Sequence, residues 1–404
     1  MKKIIFATLV PLCNPVVAQP AIIAQPITVT APTKVISGPS GPITISISTT
    51  IPVGSTGSAA PLTQMPPSTK FEINGAALMS RRDGTSELRL SPTSNETVGG
   101  NGRDGAFRLS CIASHMGYFD PIVYPGINRT SHLHTFFGNS DQNFDTDPET
   151  LSTSATRGTC TGGIANLSSY WVPSTIDITT GIPLVPEAVS VYYKTGVYFD
   201  SADGRGAQAL PVVSPPAGLR MIAGEPMNAG YSQGTQTNAG VTRELQTRRY
   251  DCLIPASIRP PNGTILNGAD LQFSEPCPNG SEIWQLVFFP TCWDGVNLDS
   301  PDHKSHMAYV VDVPNNQQLC PPTHPLIIPV IQYNIIYRVH AGSRPENWRL
   351  SSDLYDLSIP GGRSLHGDWN NGWKQEFLDA IVNNCINAHV DCHNNLLGDG
   401  RSLF

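Results

Sequence analysis

Ile283-Trp284-Gln285-Leu286-Val287-Phe288-Phe289, closed by Pro290, is the stretch on which the fold reading turns. The run is short, rich in β-branched and aromatic side chains, and bounded by a residue that cannot continue a ladder, so it reads as a strand and not as a helix. The same texture recurs at Val189-Ser190-Val191-Tyr192-Tyr193 and from Ile327 to Val339. Between these runs lie segments dense in Gly, Pro, Asn and Asp, namely Pro211 to Gly224, Asn228 to Gly240 and Asn297 to Lys304, which read as loops. Short strands joined by such loops predict a mainly β, loop-rich, disulfide-bonded domain of the β-sandwich or jelly-roll type. One helix is expected near the end, where Trp373, Phe377, Ile381 and Cys385 recur every four residues and give a single apolar face to dock on a sheet.

Composition supports this reading. Of 404 residues, 25 are Lys or Arg and 32 are Asp or Glu, a charged share of 14%, while Gly and Pro number 36 each. So few charges with so many helix breakers exclude a coiled coil or an all-helical bundle. A net charge of −7 with no long basic run removes the electrostatic footprint of a nucleic-acid binder. After the first residues no apolar stretch reaches the roughly 20 residues of a spanning helix, so no membrane span is expected in the mature protein.

Lys2 and Lys3 precede an apolar segment from Ile4 to Leu12, and Val16, Val17 and Ala18 offer a small-residue cleavage site, so residues 1–18 read as a secretory signal peptide. Cys13 lacks the small neighbours of a lipidation site and is expected to leave with the leader. Eight cysteines then remain, Cys111, Cys160, Cys252, Cys277, Cys292, Cys320, Cys385 and Cys392, an even number that in an exported chain implies four disulfides. Sequence does not fix their pairing, though Cys385 and Cys392 are close enough for a local bridge. No two of them have CxxC spacing, which argues against structural zinc on cysteine. Residues 19–69, with nine prolines up to Ser68, one charge at Lys34 and no aromatic residue, read as a Pro/Ser/Thr-rich disordered linker or stalk; alternation at Ile43, Ile45 and Ile47 marks one short strand within it. Residues 70–404 are expected to form a single large β-rich domain, secreted or periplasmic after cleavage.

The chemistry-bearing residues fall in three groups. Ser131-His132-Leu133-His134 would aim both imidazoles at one face of a strand, as a sheet presents two metal ligands or a ligand and a base. The competing reading is a pair of core histidines satisfied by hydrogen bonds. Cys292-Trp293-Asp294-Gly295 followed by Asp299, Asp302, His303 and His306 alternates acids with imidazoles, where a carboxylate can fix a tautomer for general-base work. Against it stands an Asp-rich turn capping its own amides. His366-Gly367-Asp368-Trp369, with Trp373 following, puts an imidazole, a carboxylate and indoles on a Gly-flanked turn suited to stacking a sugar ring, unless the indoles belong to the core. No GxGxxG, phosphate loop, GxSxG elbow or HExxH is present, so dinucleotide, phosphate-loop, serine-triad and HExxH zinc chemistry lack a basis.

Taken in order, Asp120-Pro121-Ile122-Val123, Ser131-His132-Leu133-His134, Phe137-Gly138-Asn139, Ser169-Tyr170-Trp171-Val172-Pro173, Cys277-Pro278-Asn279-Gly280, Phe288-Phe289-Pro290-Thr291-Cys292-Trp293-Asp294-Gly295, Leu298 to Tyr309 and Gly367-Asp368 with Gly372-Trp373 resemble a secreted family of fungi and bacteria. It is catalogued as domain of unknown function nineteen-ninety-six. The resemblance covers roughly residues 107–392 and is most specific from Cys292 to Tyr309; Trp369 replaces a usual Tyr, and Leu133 a common Val. Relatives are exported, cysteine-rich and often joined to wall-binding or carbohydrate-binding modules, which implies a glycan context. The resulting expectation is a secreted protein acting on extracellular polysaccharide or cell-wall glycan, a hydrolase or lyase. Its catalytic set would be His132, His134, Asp302, His303, His306 and Asp368, with Trp293, Asp294, His366 and Trp369 contacting substrate. A divalent metal ion on His132, His134 and His306 is a further expectation, and a non-catalytic glycan-binding or structural surface protein is the alternative.

Overall fold

Along Ala188–Lys194, Val189, Val191 and Tyr193 are buried while the residues between them are half-exposed, the period-two signature of a strand with one face on a core. Strands of this kind build two facing sheets. The larger contains β1 (Ala106–Cys111), β5 (Ala188–Lys194), β7 (Arg248–Ile254), β8 (Thr264–Gly268), β9 (Glu282–Phe288), β10 (Val330–Arg338) and β12 (Asp391–Cys392), in the spatial order β8-β7-β9-β10-β5-β1-β12. The smaller contains β2 (Ala113–Gly117), β3 (His134–Gly138), β4 (Ser169–Pro173), β6 (Arg220–Gly224) and β11 (His366–Asn370), in the order β6-β11-β4-β3-β2. All neighbours are antiparallel except β12, which lies parallel to β1.

The computed structural model describes residues 73–404 apart from 95–97, 101, 155, 201–206, 225–233, 239–240, 246, 314–316, 354 and 356–357, with strand backbone at 27–30, 34–38, 41–45 and 48–51. Contacts divide the chain into units 1–55 and 56–404. Within the first, Lys34–Gly38 pairs with Gly41–Ile45 and Ile27–Thr30 with Ser48–Ile51. The expected leader and the rest of 19–69 lie outside the described residues.

The main core fills the space between the two sheets. Phe137, Tyr170, Val172, Met221 and Trp369 come from the smaller sheet; Phe107, Val191, Tyr193, Val287 and Tyr333 come from the larger. Buried tyrosine hydroxyls need partners, and here they tie the sheets together. Tyr170 and Tyr193 hydroxyls are 3.0 Å apart, Trp373 Nε1–H donates to Tyr193 at 2.9 Å, and the Tyr333 hydroxyl donates to the Asp368 carbonyl at 2.8 Å. The helix α1 (Gln375–Ile381) continues through a π-turn over Val382–Ile386 and buries Trp373, Phe377, Ile381 and Cys385 together. Four disulfides join Cys111–Cys160, Cys252–Cys277, Cys292–Cys320 and Cys385–Cys392. Among the described residues no helix is long and apolar enough to cross a membrane.

Three loop or turn readings change, and the first is His366–Asn370, expected on a Gly-flanked turn but found as the strand β11, paired with β6 and β4. Arg220–Gly224, expected as the end of a loop, is the edge strand β6, paired along its whole length with β11. Its apolar run is short and set among prolines and glycines, so only the neighbouring strand reveals it. Asn228 to Gly240 includes a strand, Gly234–Asn238, paired with Val241–Leu245; the remainder of that stretch lies outside the described residues.

Candidate functional site

Alternation along β11 sends Gly367 and Trp369 toward the inter-sheet core and leaves His366, Asp368 and Asn370 on the opposite, outer face of the smaller sheet. Gly367 lets the sheets approach closely, since a Cβ there would meet the Tyr333 ring at 3.1 Å and displace it by a few tenths of an ångström. On β3 the same logic turns Phe137 inward, and His134 and Phe136 outward. The segment 118–133 covers this outer face. Phe119 and Ile122 pack there with Phe136, Trp171 and Ile222 as a second, small apolar cluster. Asp120 shapes the covering turn, its Oδ1 accepting the amides of Ile122 at 3.0 Å and Val123 at 2.9 Å.

Beside that cluster five polar side chains converge under the cover. His132, His134 and His366 bring ligand atoms within 4.8 Å of one another, as do Asp120, His134 and Asp368. All five are essentially without exposed surface. The backbone sets two of the tautomers: a carbonyl only accepts, so His134 Nδ1–H donates to Phe119 O at 2.9 Å and His366 Nδ1–H to Ser364 O at 2.8 Å. Each ring therefore carries its lone pair on Nε2. His366 Nε2 lies 3.2 Å from His132 Nε2 and 3.9 Å from Asp368 Oδ2. Burial drives His134 down to about 4 and, with the neighbouring His134, His366 down to about 3, and it holds His132 well below the usual imidazole range. Burial and then the adjacent Asp120 push the Asp368 carboxyl well above the usual carboxylate range. Asp120 is raised too, by burial, against the pull of its two amide donors.

The loop 294–306 distributes its polar groups differently. Asp294 closes a turn through the amides of Val296 at 2.8 Å and Asn297 at 2.9 Å. Asp302 does the same with the amides of Lys304 at 3.1 Å and Ser305 at 2.8 Å, and accepts the Ser300 hydroxyl at 2.8 Å. His306 is buried, with Nε2–H donating to Arg220 O at 2.7 Å and Nδ1 2.9 Å from Ser300 Oγ. Asp294, Asp302 and His306 are thus occupied in holding the loop.

His303 is the exception. Its Nδ1 sits 2.9 and 3.0 Å from the two oxygens of Asp299, and its backbone adopts φ +56°, a conformation non-glycine residues enter rarely. Asp299 is anchored in turn by Arg220 at 3.1 Å and the Ser300 amide at 2.9 Å. Burial opposes its charge, but the bonds from His303 and Arg220 outweigh this and hold it below the usual carboxylate range. Both His303 and Asp299 side chains keep 16% of their surface exposed. The charge of Lys304 reaches the cluster electrostatically, acting on His366 and Asp368.

The structure therefore redistributes the expected site. His132 and His134 do meet, although His132 precedes β3 and is not part of it. Their third imidazole is His366, not His306, because β11, separated from β3 only by β4, turns His366 to the same outer face, whereas His306 is bonded to Arg220 O on the edge strand β6. His366 and Trp369, expected to contact substrate, are both interior; Trp369 is fully buried between the sheets and has no open face for a sugar. Trp293 is half-buried, its indole N–H donating to Asn297 O at 2.7 Å. Sequence reasoning missed Asp120 as a site residue, and it named Asp299 in the acid–imidazole loop but left it out of the catalytic set. Asp120 had a signal in its Asp-Pro turn next to a buried histidine pair, whereas Asp299 is singled out only by Arg220, far away in sequence.

The family model described as domain of unknown function (DUF1996) matches residues 120–373, a span narrower at both ends than the resemblance read from the motifs. It takes in the whole cluster and the whole His303 loop. No curated protein and no solved structure matches the chain.

Proposed function

The chain belongs to the family described as domain of unknown function (DUF1996), and on that premise we propose that it is an exported enzyme acting on extracellular polysaccharide. The single observation that carries the catalytic part is the His303–Asp299 pair, an imidazole oriented by an anchored carboxylate and still reachable from solvent. Asp299 fixes Nδ1 as the protonated nitrogen, which leaves Nε2 as a base. Of the two bond-breaking classes, β-elimination fits these residues better than hydrolysis. A hydrolase needs two carboxyl groups facing the glycosidic bond, and here Asp294 and Asp302 are engaged by backbone amides while Asp120 and Asp368 are buried. A lyase needs a neutral base for the proton α to a uronate and positive charge for the resulting enediolate. Lys304, next to His303, supplies positive charge at this rim, while Arg220 is held by Asp299 and Glu149. Four disulfides accord with export, and the family resemblance supplies the glycan context.

The test is incubation of the oxidised protein with a panel of wall and capsule polysaccharides, following reducing ends and the ultraviolet absorbance of unsaturated uronates. Both signals are expected, and His303→Ala should lower the rate by about 100-fold or more. Reducing ends without unsaturation would move the assignment to hydrolysis. A second reading, a glycan-binding protein without catalysis, draws on the complete burial of the five-residue cluster; saturable binding with no product would favour it.

A further inference from the structure

We infer that His132, His134, His366 and Asp368 form a binding centre for one divalent transition-metal ion of the zinc type, buried beneath the 118–133 segment. The argument begins with hydrogen-bond supply. His134 Nε2 and Asp368 Oδ2 are buried and make no hydrogen bond, and His132 and His366 join them with Nε2 atoms 3.2 Å apart. Each such group costs about 1–3 kcal/mol when left unsatisfied, so two at one point call for a shared partner. Direct pairing within the cluster does not supply it. The imidazoles of His134 and His366 have committed their only proton to a backbone carbonyl, and a bond between the Nε2 atoms of His132 and His366 would still leave His134 Nε2 and the Asp368 oxygen bare.

What satisfies lone pairs that converge with no hydrogen bond between them is a cation. The arrangement also has the outer layer expected of one: metal-bound histidines usually donate their other ring N–H to a carbonyl or carboxylate, which fixes the tautomer and the aim of the ring. Phe119 O and Ser364 O do this for His134 and His366. The spacing agrees. With zinc–nitrogen bonds of 2.0–2.1 Å, neighbouring ligand atoms of a tetrahedron stand about 3.3 Å apart; the Nε2 atoms of His132 and His366 are 3.2 Å apart, and Asp368 Oδ2, 3.9 Å from His366 Nε2, would move in by about half an ångström to complete the set. Donor chemistry then sets the class of ion. Three imidazoles and a carboxylate suit first-row transition ions, whereas calcium and magnesium select sites built from oxygen. Asp120, within 4.8 Å of His134 and Asp368 in its ligand atom, adds a second negative group at the rim of the centre.

The ion would tie the covering segment, through His132, to β3 and β11. It occupies residues beside the proposed base and not the base itself, and the test below uses no glycan. A chain that binds the ion and cleaves nothing would lose the activity and keep the centre.

The full, disulfide-bonded chain would be stripped with a chelator and titrated with Zn²⁺ against a chromogenic competitor. One equivalent is expected, bound at least about 100-fold more tightly than by His134→Gln or Asp368→Asn, while His340→Gln, at an exposed histidine, should match the wild type. Thermal unfolding in chelator would establish that the variants fold. Should they not, the visible spectrum of the wild-type chain loaded with Co²⁺ decides: strong absorption of four-coordinate cobalt supports the centre. Weak absorption of six-coordinate cobalt, no stoichiometric binding by the wild type, or undiminished binding by His134→Gln would each overturn it.

Discussion

His115 shows how much a single half-buried imidazole can weigh. It lies on β2, stacked on Phe136 at 4.9 Å and on Phe119 at 6.0 Å, with Ser114 Oγ 2.9 Å from its Nδ1. Burial lowers its pKa to about 4 from an ordinary 6.5. Above pH 6.5 both the folded and the unfolded chain hold it neutral, and it contributes no pH dependence. Between 6.5 and about 4 the unfolded chain takes up a proton that the folded chain refuses, so stability is lost as the pH falls, by about 3 kcal/mol at the bottom of that window. His115→Phe keeps the stacking and removes the titration. Urea unfolding at pH 7 and at pH 4.5 should show a smaller acid loss in this variant than in the wild type, and equal losses would acquit His115. Sequence gave little warning of this residue, because its burial comes from a covering segment that no local pattern announces. Asp302 is the converse: its acid-rich surroundings suggested catalysis, yet the nearest amides take its oxygen, and only three-dimensional neighbours separate it from Asp299.

Strands that face the core on one side were legible, and those defined by partners were not. Val189 to Tyr193 and Ile283 to Phe289 carry enough β-branched and aromatic residues to declare themselves, and both are strands. Arg220–Gly224 has too short an apolar run, and His366–Asn370 resembles a turn because its glycine and aspartate are turn formers. In β11 the glycine instead permits close approach of the sheets and the aspartate faces the cluster. At this scale the Cys111–Cys160 bridge is the test of how one element is held. Cys111 ends β1, and the flanking backbone already pairs, with the Thr161 amide donating to Ser110 O at 2.9 Å and the Ile112 amide to Thr159 O at 3.2 Å. The bridge closes a separation of 49 residues, for which loop entropy predicts about 4 kcal/mol. A Cys111→Ala/Cys160→Ala double variant should therefore fold with its urea midpoint lowered accordingly. An unchanged midpoint would mean that the hydrogen bonds alone set this pairing.

For the molecule as a whole, the composition change near Lys70 and the position of the core make the same statement. Every member of the main core lies between Phe107 and Leu403, and all four disulfides lie between Cys111 and Cys392. The contact division at Ser55 leaves that core entirely in the second unit. A proline-rich segment with one charge and no aromatic side chain has little apolar surface to contribute, so its removal should cost the body almost nothing. A chain of residues 56–404, oxidised under the same conditions as one of residues 19–404, is expected to unfold within about 2 °C of it, since about 1 kcal/mol moves the midpoint of a domain this size by a few degrees at most. A drop well beyond that would show the N-terminal unit to be part of the cooperative structure. An unchanged midpoint would locate the whole stability of the sandwich, including the burial of the His132–His134–His366 cluster, in the body alone.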